Sequence, residues 1–193
     1  NLSCLSSINR SGKRNFYDGV NAAVSTTGDA FELDGLRLIK TSSTVHYMKE
    51  VDDFSRITYS TSYFLVQQKD GTKLYYGDYN GSNGCQLGSD GTTRIAWYLA
   101  MQQDAHGNYI RYQYDRDAAT GDIWLTGITY TLNNSRTFAH THEVSFTYQE
   151  YAQAHGGYIG GMPVKRSTVK PPIMFITPLF ISGFLDFFFL GFL

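Results

Sequence analysis

The densest group of metal-capable side chains is His140-Thr141-His142-Glu143. On a strand, residues i and i+2 project from one face, so the two imidazoles could share an ion. Two ligands leave a tetrahedral site half filled, and no spacing nominates His106, His155 or a distant carboxylate as a third. A strand carrying exposed histidines, with no metal, is the expectation. The pairs Asp52-Asp53 and Asp115-x-Asp117 have the residue types for acid and base roles. Each lies beside turn residues, however, where Asp ordinarily accepts backbone N–H groups. Cys4 and Cys85 show no CxxC or Cys/His spacing and have no base beside them in sequence. A single bridge and two unlinked thiols are both compatible with that, and unlinked thiols are expected.

Ser60-Thr61-Ser62 opens a predicted strand, as an STS element does in ADP-ribosyltransferases that bind a nicotinamide dinucleotide. Those enzymes also need a Glu-x-Glu pair, which Glu32, Glu50, Glu143 and Glu150 do not supply. The chain also lacks GxSxG, HExxH, GxxxxGK and GxGxxG elements. It is therefore expected not to be an enzyme, with no catalytic, cofactor-binding or metal-binding residue assigned and no cofactor.

Sixteen basic against seventeen acidic side chains give a net charge of -1 without any long basic run, which excludes a general grip on nucleic acid. Aromatic residues make up 16% of the 193, too many for a disordered chain. With 19 Gly and 4 Pro, tight glycine turns between antiparallel strands are favoured.

The elements follow that rhythm. Phe31-Glu32-Leu33, Asp34-Gly35 and Leu36-Arg37-Leu38-Ile39 predict a hairpin. Tyr63–Gln68 and Lys73–Gly77 predict a second around Asp70-Gly71, and Ile95–Gln103 and Tyr109–Tyr114 a third around Asp104–Asn108. Asp122–Leu132 and His142–Tyr148 form a further pair through Asn133-Asn134-Ser135. In the return strand, Ile110, Tyr112 and Tyr114 share one face and Tyr109, Arg111 and Gln113 the other. The fold class is all-β, an antiparallel meander of hairpins forming a curved sheet. No crossover helix is predicted, which excludes a parallel sheet with a ligand crevice at its strand ends.

Two units are expected, residues 1–170 as a β-rich domain and residues 171–193 as an apolar tail. The tail is near the length that spans a bilayer, but Pro178, Gly183, Asp186 and Gly191 interrupt it. A membrane anchor, a surface packed against further parts of a parent protein and a reading-frame slip all fit it. The start at Asn1, with no charged region leading into an apolar stretch, reads as a piece cut from a longer chain.

The order of the pieces carries a resemblance. Leu5-Ser6-Ser7-Ile8-Asn9-Arg10, Asp18-Gly19, Phe31-x-Leu33-Asp34-Gly35-x-Arg37-Leu38 and Asp53-Phe54-Ser55-Arg56-Ile57 occur in series. They are followed by Lys69-Asp70-Gly71, Tyr76-Gly77, Trp97-Tyr98-Leu99, Asp104-x-x-Gly107-Asn108-x-Ile110-x-Tyr112-x-Tyr114, Ile128-x-Tyr130 and Val144-x-Phe146-x-Tyr148. Over residues 1 to about 170 this resembles the SpvB-type domain of virulence plasmid B proteins and of insecticidal toxin complex B components. Relative to that pattern the chain is truncated at both ends.

The resemblance implies a non-catalytic structural module of a secreted bacterial toxin. In that role the strip joins tyrosine-rich, Rhs-like repeats in a hollow shell, which encapsulates and delivers a toxic domain carried by another component. Its partners would be the remainder of the shell and that toxin component. On the same reading each hairpin buries its apolar face against the next in place of a private core, while Tyr109, Tyr112, Tyr114, Tyr130 and Tyr148 are expected to do ordinary sheet packing with no ligand-specific role. The alternative from another class is a carbohydrate- or surface-binding β-domain, with Trp97 and Trp124 stacking on sugar rings.

Overall fold

The computed structural model describes residues 5–25, 28–43, 45–117, 120–136, 142–148, 150–159, 161–169 and 173–178. Its regular secondary structure is nearly all antiparallel strand, and the helix α1 (Asn15–Asp18) is one turn ended by Gly19 at φ 71°. The predicted hairpins form where the turn chemistry demands them. β2 (Ala30–Leu33) and β3 (Leu36–Lys40) flank Asp34 and Gly35 at φ 49° and 85°. That left-handed pair has the twist a two-residue hairpin loop needs. β6 (Tyr63–Gln67) and β7 (Lys73–Gly77) join through Asp70-Gly71, where the Asp70 carboxylate accepts the Thr72 N–H at 2.9 Å. β9 (Arg94–Gln103) and β10 (Asn108–Arg116) join through Asp104, which accepts the N–H groups of His106 and Asn108 at 2.8 and 2.9 Å. β11 (Ile123–Asn133) and β12 (His142–Thr147) complete the predicted set.

Strands absent from the sequence reading close the structure. β1 (Ser7–Ser11), β4 (His46–Lys49) and β5 (Arg56–Tyr59) join the series β1-β2-β3-β4-β5-β6-β7-β9. β9 then pairs back onto β1, with Ser7 opposite Tyr98, Ile8 opposite Trp97 and Asn9 opposite Ala96. The result is a closed barrel, which leaves no free edge among its own strands.

Cross-strand partners send the same set of side chains inward. Ile8 lies opposite Leu33, Phe31 opposite Leu38, Ile57 opposite Val66 and Phe64 opposite Tyr76. These residues form one buried cluster with Trp97, Leu99 and Cys85. Phe31, Phe64 and Trp97 meet edge to face with centroids 5.1 to 5.5 Å apart, and Tyr59 lies 4.6 Å from Phe64. Each such ring contact adds about 0.5–1.5 kcal/mol beyond the area it buries. The barrel is therefore packed with rings, not hollow. Arg10 also reaches inward, its guanidinium 5.2 Å from the Phe31 ring and 5.7 Å from Trp97, with Asp29 at 3.3 Å.

β9 carries the remaining structure along the lengths of its edges that β1 and β7 leave free. β8 (Cys85–Leu87) pairs with its first half and β10 with its last three residues. From there β10, β11, β12 and β15 (Ile173–Pro178) continue as a flanking sheet. Its core is small: Tyr114, Ile123 and Leu125 are buried, with Tyr98, Tyr112, Ile128 and Phe146 packed around them. β13 (Glu150–Ile159) and β14 (Met162–Val169) form a separate two-stranded hairpin.

The all-β meander of hairpins is thus observed, and the expectation of hairpins without a private core is corrected. That expectation describes only the flanking sheet, because the β1–β9 pairing turns the first half of the meander back on itself. Of the apolar tail, residues 173–178 form the strand beside β12, while 171–172 and 179–193 lie outside the described residues. Among the described residues, no helix is long and apolar enough to cross a membrane.

Candidate functional site

The residue types that could do chemistry are dispersed, and each has a local task. Ser60-Thr61-Ser62 is the tight turn between β5 and β6 and does not open a strand: Ser60 and Tyr63 exchange backbone hydrogen bonds at 2.8 and 3.2 Å. The Ser62 carbonyl accepts the Asp78 N–H at 3.0 Å and the Cys85 thiol at 3.3 Å. Burial pushes that thiol up to about 12, so it is a neutral packing group, and it is free. Cys4 lies outside the described residues.

His142 stacks on Tyr130 at 5.2 Å, and its Nδ1 lies 3.3 Å from the Thr131 hydroxyl. His140 lies outside the described residues, and His155 is on β13. Among the described residues, no three His, Cys, Asp or Glu side chains are grouped to hold a metal.

The carboxylates brace turns. Asp52 accepts the Phe54 N–H at 2.8 Å, and Asp53 accepts the Ser55 N–H at 3.1 Å while pairing with Lys49 at 2.5 Å. The Lys49 ammonium, with help from Ser55, holds the Asp53 carboxyl down at about 2. Asp90 is held at about 2 by the Thr93 hydroxyl and the Thr93 and Thr92 N–H groups. Asp115 accepts the N–H of Arg116, and Asp117 accepts the Thr120 hydroxyl at 2.8 Å.

The aromatic candidates divide in the same way. Trp97 is fully buried and cannot stack on an external sugar, which removes it from the carbohydrate reading; Trp124 is partly buried opposite Asp115. The Tyr114 hydroxyl donates to the Leu99 carbonyl at 2.7 Å and that of Tyr148 to the Leu125 carbonyl at 2.6 Å, so both tie β-strands together. Tyr112 packs on the flanking core.

Sequence reasoning missed the built surface on the outer wall of β2, β3 and β4. There the segment around α1 is strapped down. The Arg37 guanidinium lies 4.1 Å over the Tyr17 ring and 2.9 Å from Asp18, and the Tyr17 hydroxyl donates to Glu50 at 2.8 Å. Arg14 pairs with Glu32 at 2.6 Å. Around these polar anchors apolar side chains face outward: Phe16 is 86% exposed, Phe54 74% and Val51 67%, while Ile39 and Met48 are exposed cross-strand partners. Phe54 also has φ 65°, a conformation that bulky residues rarely adopt. Grouped exposed apolar residues mark contact surfaces. The available signal was the alternation itself, since Ile39 and Met48 fall on the parity opposite the inward residues.

No family model and no curated protein matches the chain. Solved structures do. The N-terminal domain of effector protein SpvB from Salmonella typhimurium strain LT2 superposes with a TM-score of 0.61 at 15% identity, over 89% of this chain and 75% of that one. The fold is that of the SpvB N-terminal domain. A Photorhabdus luminescens Tc holotoxin pore matches with a TM-score of 0.59 at 14% identity, and the complex TcdB2-TccC3-Cdc42 with 0.58 at 14%. Each of these covers 88% of this chain but only 11% of its own, so the chain spans about a tenth of those toxin polypeptides.

Proposed function

We propose that the chain is a non-catalytic structural module of a secreted toxin B component, contributing one wall of a shell that encloses and delivers a toxic domain carried elsewhere. The observation that carries this reading is the likeness in fold, over 88–89% of the chain, to the SpvB N-terminal domain and to a segment of toxin complex chains. The physical form agrees with it. A barrel filled by its own rings makes a rigid block, and the flanking sheet and outward apolar wall give it faces to set against neighbouring parts of a larger assembly.

The test is to produce the parent toxin polypeptide with Phe16→Asp and Phe54→Asp together. The expected result is loss of shell assembly in size-exclusion and electron-microscopic measurements, with the melting temperature of the 193-residue chain itself unchanged. Normal assembly by that variant would remove the wall from the interface. Release of nicotinamide from a nicotinamide dinucleotide by the purified chain would overturn the non-catalytic reading.

A further inference from the structure

A groove of about 510 Å3 lies at the β9–β10 turn, within the ~300–1,000 Å3 typical of small-molecule sites. Its lining includes Gln102, Asp104, Tyr109, Tyr130, Thr131 and Leu132. Neighbouring residues of one regular strand face opposite ways, because successive side chains alternate. Here β11 carries an extra residue: Tyr109 pairs with Leu132 and Arg111 with Thr129, leaving Tyr130 and Thr131 together opposite Ile110 alone. Thr131 adopts φ 65° to make that bulge, a conformation a β-branched residue enters only at a cost. The concavity is therefore built by strained backbone, a feature that concentrates at ligand sites.

Some of the groove's polar groups are spent, the Thr131 hydroxyl on His142 and the Asn108 amide on Asp104, and others are not. The hydroxyls of Tyr17, Tyr76, Tyr114 and Tyr148 all have hydrogen-bond partners. Among the described residues those of Tyr109 and Tyr130 have none, nor does the exposed Gln102 amide. Asp104 gives Oδ1 to the N–H groups of His106 and Asn108 and Oδ2 to the Asn108 amide, which leaves one acceptor position on Oδ2. Tyr130 is backed by the His142 ring. The lining contains no Lys or Arg, and its one charge is the Asp104 carboxylate, which disfavours phosphates and acidic ligands.

We propose that this groove binds a neutral saccharide on the face that Gln102, Ile110 and Tyr130 share, with the apolar face of a sugar ring against Tyr130 and its hydroxyls bonded to Gln102 and Asp104. The site is distinct from the tryptophans that the sequence offered for the same chemistry, and it does not depend on the shell reading.

The experiment is a two-dimensional amide NMR titration of the chain with maltotriose, cellotriose and chitotriose, and with sialyllactose as the anionic comparison. At least one neutral sugar is expected to give saturable shifts confined to residues 102–110 and 130–132, with Kd of about 1 mM. Tyr130→Ala is expected to weaken binding about tenfold and Gln102→Ala about fivefold, while Tyr79→Ala, in a cluster of the Tyr63, Tyr75 and Tyr79 rings that does not line the groove, changes nothing. Gln102 is exposed, so its variant keeps the test valid if Tyr130→Ala disturbs the hairpin. The proposal fails if no neutral trisaccharide gives saturable shifts, if sialyllactose binds as tightly, if the shifts fall elsewhere, or if Gln102→Ala retains full affinity.

Discussion

The barrel and the flanking sheet use the same materials, aromatic strands joined by Asp and Gly turns, and reach different kinds of stability. In the barrel every strand has two partners and the rings of Phe31, Phe64 and Trp97 meet inside, so its core belongs to it alone. In the flanking sheet the buried set is Tyr114, Ile123 and Leu125, resting on Tyr98 of the barrel's own β9. The lesson is one of dependence. Closure gives the first half its own interior, whereas the second half borrows a wall from the first.

The widest separation between the two is expected for Phe64→Ala. Removing a fully buried ring from the barrel should cost about 3–5 kcal/mol in urea unfolding. Because the flank leans on the barrel, both halves should unfold together. Thiol labelling reports the same event: Cys85, buried and pushed up to about 12, should be unreactive in the wild type and become reactive as the barrel opens. Flanking amides that stay protected after the barrel unfolds would break the comparison.

Gly77→Ala comes next. Gly77 has φ 101°, and a Cβ there would run into the Trp97 ring edge and lie 2.7 Å from the Ser62 carbonyl, both poorly able to move. A loss of about 2–3 kcal/mol is expected from the strain and overpacking combined. A neutral result would mean that the β7–β8 corner is looser than its contacts indicate.

Tyr114→Phe sharpens the contrast from the other side. It removes one buried hydrogen bond to the Leu99 carbonyl, worth about 1 kcal/mol, and should speed hydrogen exchange in β10 and β11 while barrel amides keep their rates.

The smallest effect concerns acid. Asp53 and Asp90 ionise at about 2 in the folded chain against 3.8 for the free side chain, so the unfolded chain takes up protons first as pH falls. Their contribution is present above pH 3.8 and is lost as pH drops toward 2. Asp90→Asn should lower the melting temperature at neutral pH and leave the value near pH 2 little changed, which flattens the fall over that window.

The parts legible in the sequence are those fixed by local chemistry. Asp34-Gly35 announces its hairpin because the loop needs two left-handed residues, and Asp70-Gly71 and Asp104–Asn108 do so through carboxylates that accept turn N–H groups. Closure was not legible. β1 is Ser-Ile-Asn-Arg-Ser, with Ile8 as its one apolar residue, and its partner Trp97 lies far along the chain. The placement of Trp97 was obscured for a related reason. β9 is buried on both faces, so Ile95-Ala96-Trp97-Tyr98-Leu99-Ala100-Met101 reads as a continuous apolar run and its inward parity cannot be told from its outward one. The groove was hidden because it depends on a bulge at Tyr130-Thr131, and Thr is the last residue type that would advertise a left-handed backbone.

β9 meets four different strands along ten residues: β1 and β8 on its first half, β7 and β10 on its last. Adding or deleting one residue there would invert the facing of everything beyond it, for the barrel lumen and the outer sheet at once. Evolutionary changes in length among chains of this shape should therefore collect in the connector at 41–45 and spare 94–103, making that single ribbon the fixed ruler against which the rest of the molecule drifts.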